Sequence, residues 1–430
     1  MIDKTELLHM GDSPIVSQYM ALSKAGVDLP PLYTDGQLIE ENVWSWILKT
    51  VGAGFGGQFN PYPTYDAAGN KGIFRMPDTR LTIGLLADWA SDTAEARKVA
   101  GLVGTQNDYT IHLGDTYFVG SAEEIRANFF PDNGAWPYGR AGSFALLGNH
   151  EMYSGGDSYF NDLLPLMGTY VPDTNRTVNE AQKASFFCLE NEHWRIIGLD
   201  TGYESLNYPL KLTQNANLDL TPEQKHWLQD IVRLNDDKRG IIFLSHHQCF
   251  SAFEAEFSKP QETISTMMNP ARDVIWLWGH EHWFSVYGAN QMHNGGNIFA
   301  RCIGNGGMPV ELYHQGGIKR PKNNMPHSPE NRNLVIYDQR PRQTLPGGIV
   351  LGHNGYVIAT IDGPTLTLSY FDDRDTADNK LLEEQWTVDK TTGKITGDFI
   401  KDLTAFGQNT AQQQLSPFIG ADLQDAITAH

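Results

Sequence analysis

Six side chains able to hold a metal stand at the ends of short apolar runs in this 430-residue chain. Asp88 closes LTIGLLAD, Asp115 closes YTIHLGD, Asn149 closes SFALLGN, His246 closes GIIFLSH and His280 closes VIWLWGH, with His282 two residues further on. Two carboxylates, one amide oxygen and three imidazoles, without a thiolate, suit divalent transition metals such as Mn, Zn, Fe or Co. They do not suit Ca, Mg or an iron–sulfur cluster. A catalytic single-metal site ordinarily uses about three protein ligands. Six fit two metals that share one bridging carboxylate, so a pair of divalent metal ions is the expected cofactor.

The runs that carry these residues are continuous rather than alternating, as in strands covered on both faces. In open α/β sheets, binding groups collect beyond the carboxyl ends of the strands, where all six candidates stand. Helix signals fall between the runs. Ser121 and Glu124 form a capping box ahead of residues 125–130; Thr221 and Pro222, with a returning Gln224, open a second helix. Strands alternating with helices give an α/β fold. Strict alternation over 356–361 and 366–371, around Asp362-Gly363-Pro364-Thr365, predicts a hairpin. The expected organisation is an N-terminal extension over 1–80, a domain over 81–372 and a C-terminal extension over 373–430. The first extension holds an amphipathic helix near 40–51 and a glycine-rich loop at 52–57, and the tail is polar from about 388.

The formal charge of −19 excludes general nucleic-acid binding, which needs a basic surface to displace counterions. No apolar run approaches the ~20 residues of a membrane-spanning helix. The opening MIDKTELLHM lacks a basic segment followed by an apolar one, so a cytoplasmic location is expected, a trimmed export signal being the alternative. Cys188, Cys249 and Cys302 lie singly in apolar runs and read as buried free thiols.

Asp88-Trp89-Ala90, Gly114-Asp115-Thr116, Gly148-Asn149-His150-Glu151, Ser245-His246-His247 and Gly279-His280-Glu281-His282 follow one another in an order that resembles the calcineurin-like metallophosphoesterases. The first block is most similar to the purple-acid-phosphatase-like branch, whose opening motif lacks a histidine. The resemblance covers residues 81–372. It implies a four-layer α/β/β/α sandwich in which the 356–371 hairpin joins the second sheet. It also implies hydrolysis of small phosphomonoesters or phosphodiesters by a hydroxide bridging two metals. Carried over residue by residue, Asp88 and His282 hold the first metal, Asp115 bridges, and Asn149, His246 and His280 complete the second. His150 then stands beside the scissile phosphate, stabilising charge or protonating the leaving oxygen. A two-metal clamp would serve this reaction, because a phosphoryl transition state needs positioning and electrostatics more than covalent chemistry.

Two positions depart from the pattern. Ala90 stands where most of the superfamily has a histidine, and Phe118 where the purple-acid branch has a tyrosine. Tyr117, one residue earlier, would face away from the site in an extended strand, or reach the metal through a local bulge. These departures motivate an alternative, a non-catalytic or regulatory metal-binding protein of the same fold. His247 either contacts substrate or faces the other side of its strand. Asp200, which closes WRIIGLD, reads as a supporting or capping residue, Cys249 as core, and Gly352-His353-Asn354-Gly355 as a turn. Trp89 and Tyr153 flank ligand motifs and are candidates for the pocket wall. Substrate choice lies in loops such as 152–185 and 201–220, where no motif speaks.

Overall fold

The computed structural model describes residues 60–65, 69–132, 134–207, 214–268, 270–314, 317–318, 322, 329–345, 349–374 and 379–401. The helix expected near 40–51, the glycine-rich loop at 52–57 and the tail after 401 lie outside the described residues. All six apolar runs form strands: Leu81–Leu86, Tyr109–His112, Gly142–Ala145, Trp194–Gly198, Gly240–Ser245 and Val274–Trp278. The first three lie side by side and parallel in one sheet. The last three do the same in another, extended in parallel by Asn297–Ile303. Within each sheet the carboxyl ends therefore share one edge.

The two sheets pack face to face. Leu81, Ile83 and Leu85 from one meet Ile242, Leu244, Ile275 and Leu277 from the other in a common core. The residues between them turn outward. Leu86 packs beneath the helices Ala94–Val103 and Ala122–Phe129. Ile241, Phe243, Val274 and Trp276 pack against Trp227, Leu228, Ile264 and Met267. The result is the expected α/β/β/α layering, and it explains why the runs lack alternation: both faces are buried. Each buried Leu, Ile or Phe is worth about 1.5–3 kcal/mol. A one-residue slip would exchange the two cores, so strand register is fixed. Fixed register in turn fixes where each polar terminus falls.

The expected hairpin forms, and its strands run one residue further at each side, leaving a two-residue turn. Gly355–Asp362 pairs with Thr365–Asp372, Asp362 opposite Thr365, and Gly363 takes φ +55°. Gly355–Asp362 lies antiparallel to Leu81–Leu86. The same sheet then continues through Lys380–Asp389 and Lys394–Lys401, within the stretch expected as a C-terminal extension. There Trp386, Val388 and Ile395 reach the inner core, while the buried Glu384 pairs with Arg301 from the opposite sheet. Ile73–Arg75, ahead of the first long strand, adds an edge to the second sheet.

Two helix starts hold the loops near the site. The Glu124 carboxylate accepts from the backbone N–H of Phe118 (2.5 Å), Val119 (3.2 Å) and Ser121 (2.8 Å). It ties down the turn that follows Asp115. Thr221 Oγ1 accepts from Gln224 N as the cap predicts. The Gln224 side chain, however, does not return to the cap. Its amide pairs with both backbone groups of Asp200, accepting from N at 2.9 Å and donating to O at 3.0 Å. The strand has ended at Gly198, and these buried groups need partners.

Candidate metal centre

Three of the candidate side chains leave their strands on a left-handed bend. Asp88, Asp115 and His280 adopt φ of +54°, +70° and +66°. Asp, Asn and His tolerate the left-handed region better than most residues, though at some cost, and non-glycine examples cluster at functional sites. The glycines before the ligands have a second reason. A Cβ on Gly148 would lie 2.0 Å from Asp115 Oδ1, and one on Gly279 would lie 2.4 Å from Asp88 Oδ2. Only glycine lets these strand ends come so close.

The bends bring all six candidates together. His246 Nε2 lies 3.2 Å from Asp115 Oδ2 and 3.2 Å from Asn149 Oδ1. His280 Nδ1 is 3.3 Å from His246 Nε2. Asp88 Oδ2 accepts from His280 N at 2.8 Å, and Asp88 Oδ1 stands 3.5 Å from His282 Nε2. Ligand-capable atoms of Asp88, Asp115 and His246 lie within 4.8 Å of one another, as do those of His246, His247 and His280. Asp115 is the common neighbour of both halves, the place expected for a bridge.

Tyr117 points inward, against the expectation for an extended strand. The strand ends at His112, and further on Thr116 forms an isolated bridge to Ala90. The phenol oxygen therefore reaches Asp88 Oδ1 (2.8 Å), His282 Nε2 (2.8 Å) and Asp115 Oδ2 (3.2 Å). Ala90 is fully buried beside it, with its carbonyl accepting from Tyr117 N. His150 sits at the rim of this group. Its Nδ1 donates to the Phe118 carbonyl at 2.6 Å, which turns Nε2 towards Asp115 Oδ2 at 3.8 Å.

The remaining readings sort by position. His247 does not face away: its ring centroid is 4.8 Å from that of His246 and 4.5 Å from that of His280. Trp89 is not a pocket wall but core, boxed with His112, Phe129 and Trp136. Tyr153 does stand edge-on to His150 at 5.2 Å. Asp200 supports, as expected, accepting from Gly202 N and Tyr203 N so that the turn presents Thr201. The three cysteines are free and buried; Cys249 packs in the outer core with Phe250 and Trp278, as expected, and burial pushes its thiol up. Gln214, whose Nε2 lies 3.0 Å from His280 Nε2, escapes sequence reasoning because its loop carries no motif.

The donor set fits a metal. His246 Nδ1 has a carbonyl, Leu113 O at 3.0 Å, as its neighbour and so carries the ring proton. Nε2 then turns a lone pair towards a carboxylate and an amide oxygen. Around Tyr117, the phenol oxygen meets two carboxylate oxygens and a ring nitrogen. Such a gathering of carboxylate, amide and phenol oxygens with ring nitrogens suits a divalent cation. Without a metal a proton takes the place: burial pushes His246 down, but Asp115, Asp88 and Glu151 raise it to about 9. Asp115, although buried, is held well below the usual carboxylate range by His246 and His150.

The family comparison agrees with this chemistry. A family model described as calcineurin-like phosphoesterase matches residues 81–284. Residues 81–284 are a calcineurin-like phosphoesterase domain. The chain is accordingly a metal-dependent phosphoesterase, with divalent metal ions as cofactor. Among solved structures, this phosphoesterase is similar to one titled PhoD at 12% identity, covering 76% of this chain and 72% of that one, with a TM-score of 0.44. A dimetal phosphatase from Danio rerio is 11% identical over 68% of this chain and 96% of its own, with a TM-score of 0.36. A predicted phosphoesterase from Streptococcus pneumoniae is 14% identical over 75% and 98%, with a TM-score of 0.26. No curated protein matches the chain by sequence. Among the described residues, no helix is long and apolar enough to cross a membrane.

The raised His246 has a measurable consequence for this phosphoesterase. Its proton stabilises the metal-free fold at pH below the ordinary histidine range, and that contribution is lost as pH rises through about 9. A metal must displace the same proton. Apparent metal affinity, measured by chelator competition, should therefore rise about tenfold per pH unit between roughly pH 7 and 9. A flat profile would show that His246 is not a ligand.

Proposed function

We propose that this phosphoesterase is binuclear and hydrolyses small phosphomonoesters or phosphodiesters. One observation supports the reading: metal-binding side chains gather in two groups that meet at Asp115, with Asp88, Tyr117 and His282 on one side and Asn149, His246 and His280 on the other. On this reading Tyr117 takes the role that neither Ala90 nor Phe118 supplies, so the first centre has four protein ligands. Bound Mn, Zn, Fe or Co would polarise the phosphoryl oxygens and lower the pKa of water towards ~7. The chain does the rest. Asp115 holds both centres at one spacing and, through Oδ1, accepts from His150 N at 3.0 Å. His150, fixed through Nδ1, offers Nε2 to the phosphoryl group or its leaving oxygen. Gln214 stands over His280 at the open side, where it can meet the ester.

Reconstitution tests this reading. Protein loaded with each of the four metals should bind close to two ions per chain and turn over a chromogenic phosphate ester with at least one of them. Tyr117→Phe should then lose one ion and lower turnover by about 10–100-fold, the usual cost of disturbing a metal's surroundings. With ferric iron, the wild type should show a tyrosinate charge-transfer band that the variant lacks. Two tightly held ions in Tyr117→Phe would remove the tyrosine from the first centre.

A further inference from the structure

His247 is the one histidine of the cluster to which the proposed chemistry gives no task, yet its ring is held as firmly as any ligand. Its backbone N–H donates to Thr201 Oγ1 at 3.0 Å, and its Nδ1 lies 3.2 Å from the same hydroxyl. Its carbonyl accepts from Ser245 Oγ, which is itself fixed by Trp276 Nε1. Phe257 packs edge-on against the ring at 4.9 Å. The opposite nitrogen has a different fate. His247 is 2% exposed, and Nε2 is buried without a hydrogen-bond partner among the described residues.

The hydroxyl decides what that nitrogen carries. If Nδ1 donates to Thr201 Oγ1, Nε2 presents a lone pair. If the hydroxyl donates to Nδ1, a buried N–H is left with no acceptor, which native interiors rarely tolerate. The first arrangement is the consistent one. It also matches His246, whose Nδ1 proton goes to a backbone carbonyl and turns Nε2 to the other candidate ligands. A histidine that donates one ring N–H to the protein is thereby oriented to offer the other nitrogen to a metal. Ligand-capable atoms of His246, His247 and His280 already lie within 4.8 Å of one another.

Resting on the binuclear reading, we infer that His247 is a further ligand of the centre, sharing with His246 and His280 the second metal, and that Thr201 is the positioning residue that aims it. The second centre is then rich in imidazole and the first rich in oxygen. Two unlike sites should prefer different metals, the second favouring those that bind nitrogen well.

Metal titration separates the possibilities. Wild type, His247→Ala, His247→Gln, Thr201→Val and His246→Ala as reference are loaded with Co and titrated against a chelator. Absorption spectra and melting curves are recorded alongside. His247→Ala should weaken one of the two sites about 100-fold and change its Co spectrum. Thr201→Val should weaken the same site by about tenfold while keeping the ligand. His247→Gln, closer in volume, serves if the alanine variant does not fold. Unchanged affinity and spectrum overturn the inference. So does a higher KM with unchanged metal binding, which puts the imidazole on substrate instead. A wild type that binds fewer than two ions fails the binuclear reading separately, and the His247 variants then report on whichever site remains.

Discussion

Asp115→Asn is expected to abolish turnover and to leave about one metal, or none, per chain. The substitution isolates charge from shape. Asparagine tolerates the left-handed backbone that Asp115 adopts at φ +70°, and its amide oxygen can still accept from His150 N. What it lacks is the second anionic oxygen. The amide nitrogen would be directed at groups such as Tyr117 Oη and His246 Nε2, where a cation is needed. Removing one electrostatic donor from an active site already costs about 10²–10³ in rate. Losing the group common to both centres should exceed that. The measurement is metal content and rate on one ester, with a melting curve to confirm the fold. A variant that keeps both metals and a near wild-type rate would refute the shared-carboxylate arrangement.

The sequence made this site legible because two kinds of regularity coincide in it. The apolar runs are buried on both faces, so their lengths fix where strands stop, and parallel neighbours stop along one edge. Ligand-type residues at those stops could be read as one set before any contact was known. Tyr117 could not be read the same way. The alternation rule holds only while the chain stays extended, and here the strand ends at His112, five residues earlier. The turn after Asp115 follows instead the three backbone N–H groups gathered by Glu124 and the bridge between Thr116 and Ala90. Gln224 fails for a related reason. Its spacing from Thr221 satisfies a local capping rule, but the unpaired backbone of Asp200, 24 residues away, competes for its amide and wins. Gln214 and Thr201 gave no signal, since each acts through a contact made only once the two parts of the chain are packed.

His150→Ala should leave metal binding nearly intact and lower kcat by about 10²–10⁴, the usual contribution of a positioned acid–base group. Its place explains both halves of the expectation. Nε2 stands 3.8 Å from Asp115 Oδ2, outside direct contact with the proposed bridge, so removal should not empty either centre. The ring is nonetheless tightly held, by the Phe118 carbonyl at Nδ1 and by Tyr117 and Tyr153 on either side, with centroids at 4.5 and 5.2 Å. Such a fixed imidazole has one free nitrogen for the reacting ester. If that nitrogen supplies a proton, the loss should depend on the leaving group. Nitrophenyl esters, whose leaving oxygen needs no proton, should suffer least, and alkyl esters most. If it only stabilises charge on the phosphoryl oxygens, all esters should lose rate equally. A plot of the rate loss against leaving-group pKa therefore decides the role: a rising line assigns proton donation, and a level one assigns charge stabilisation. A loss below about tenfold on every ester would remove His150 from the reaction altogether.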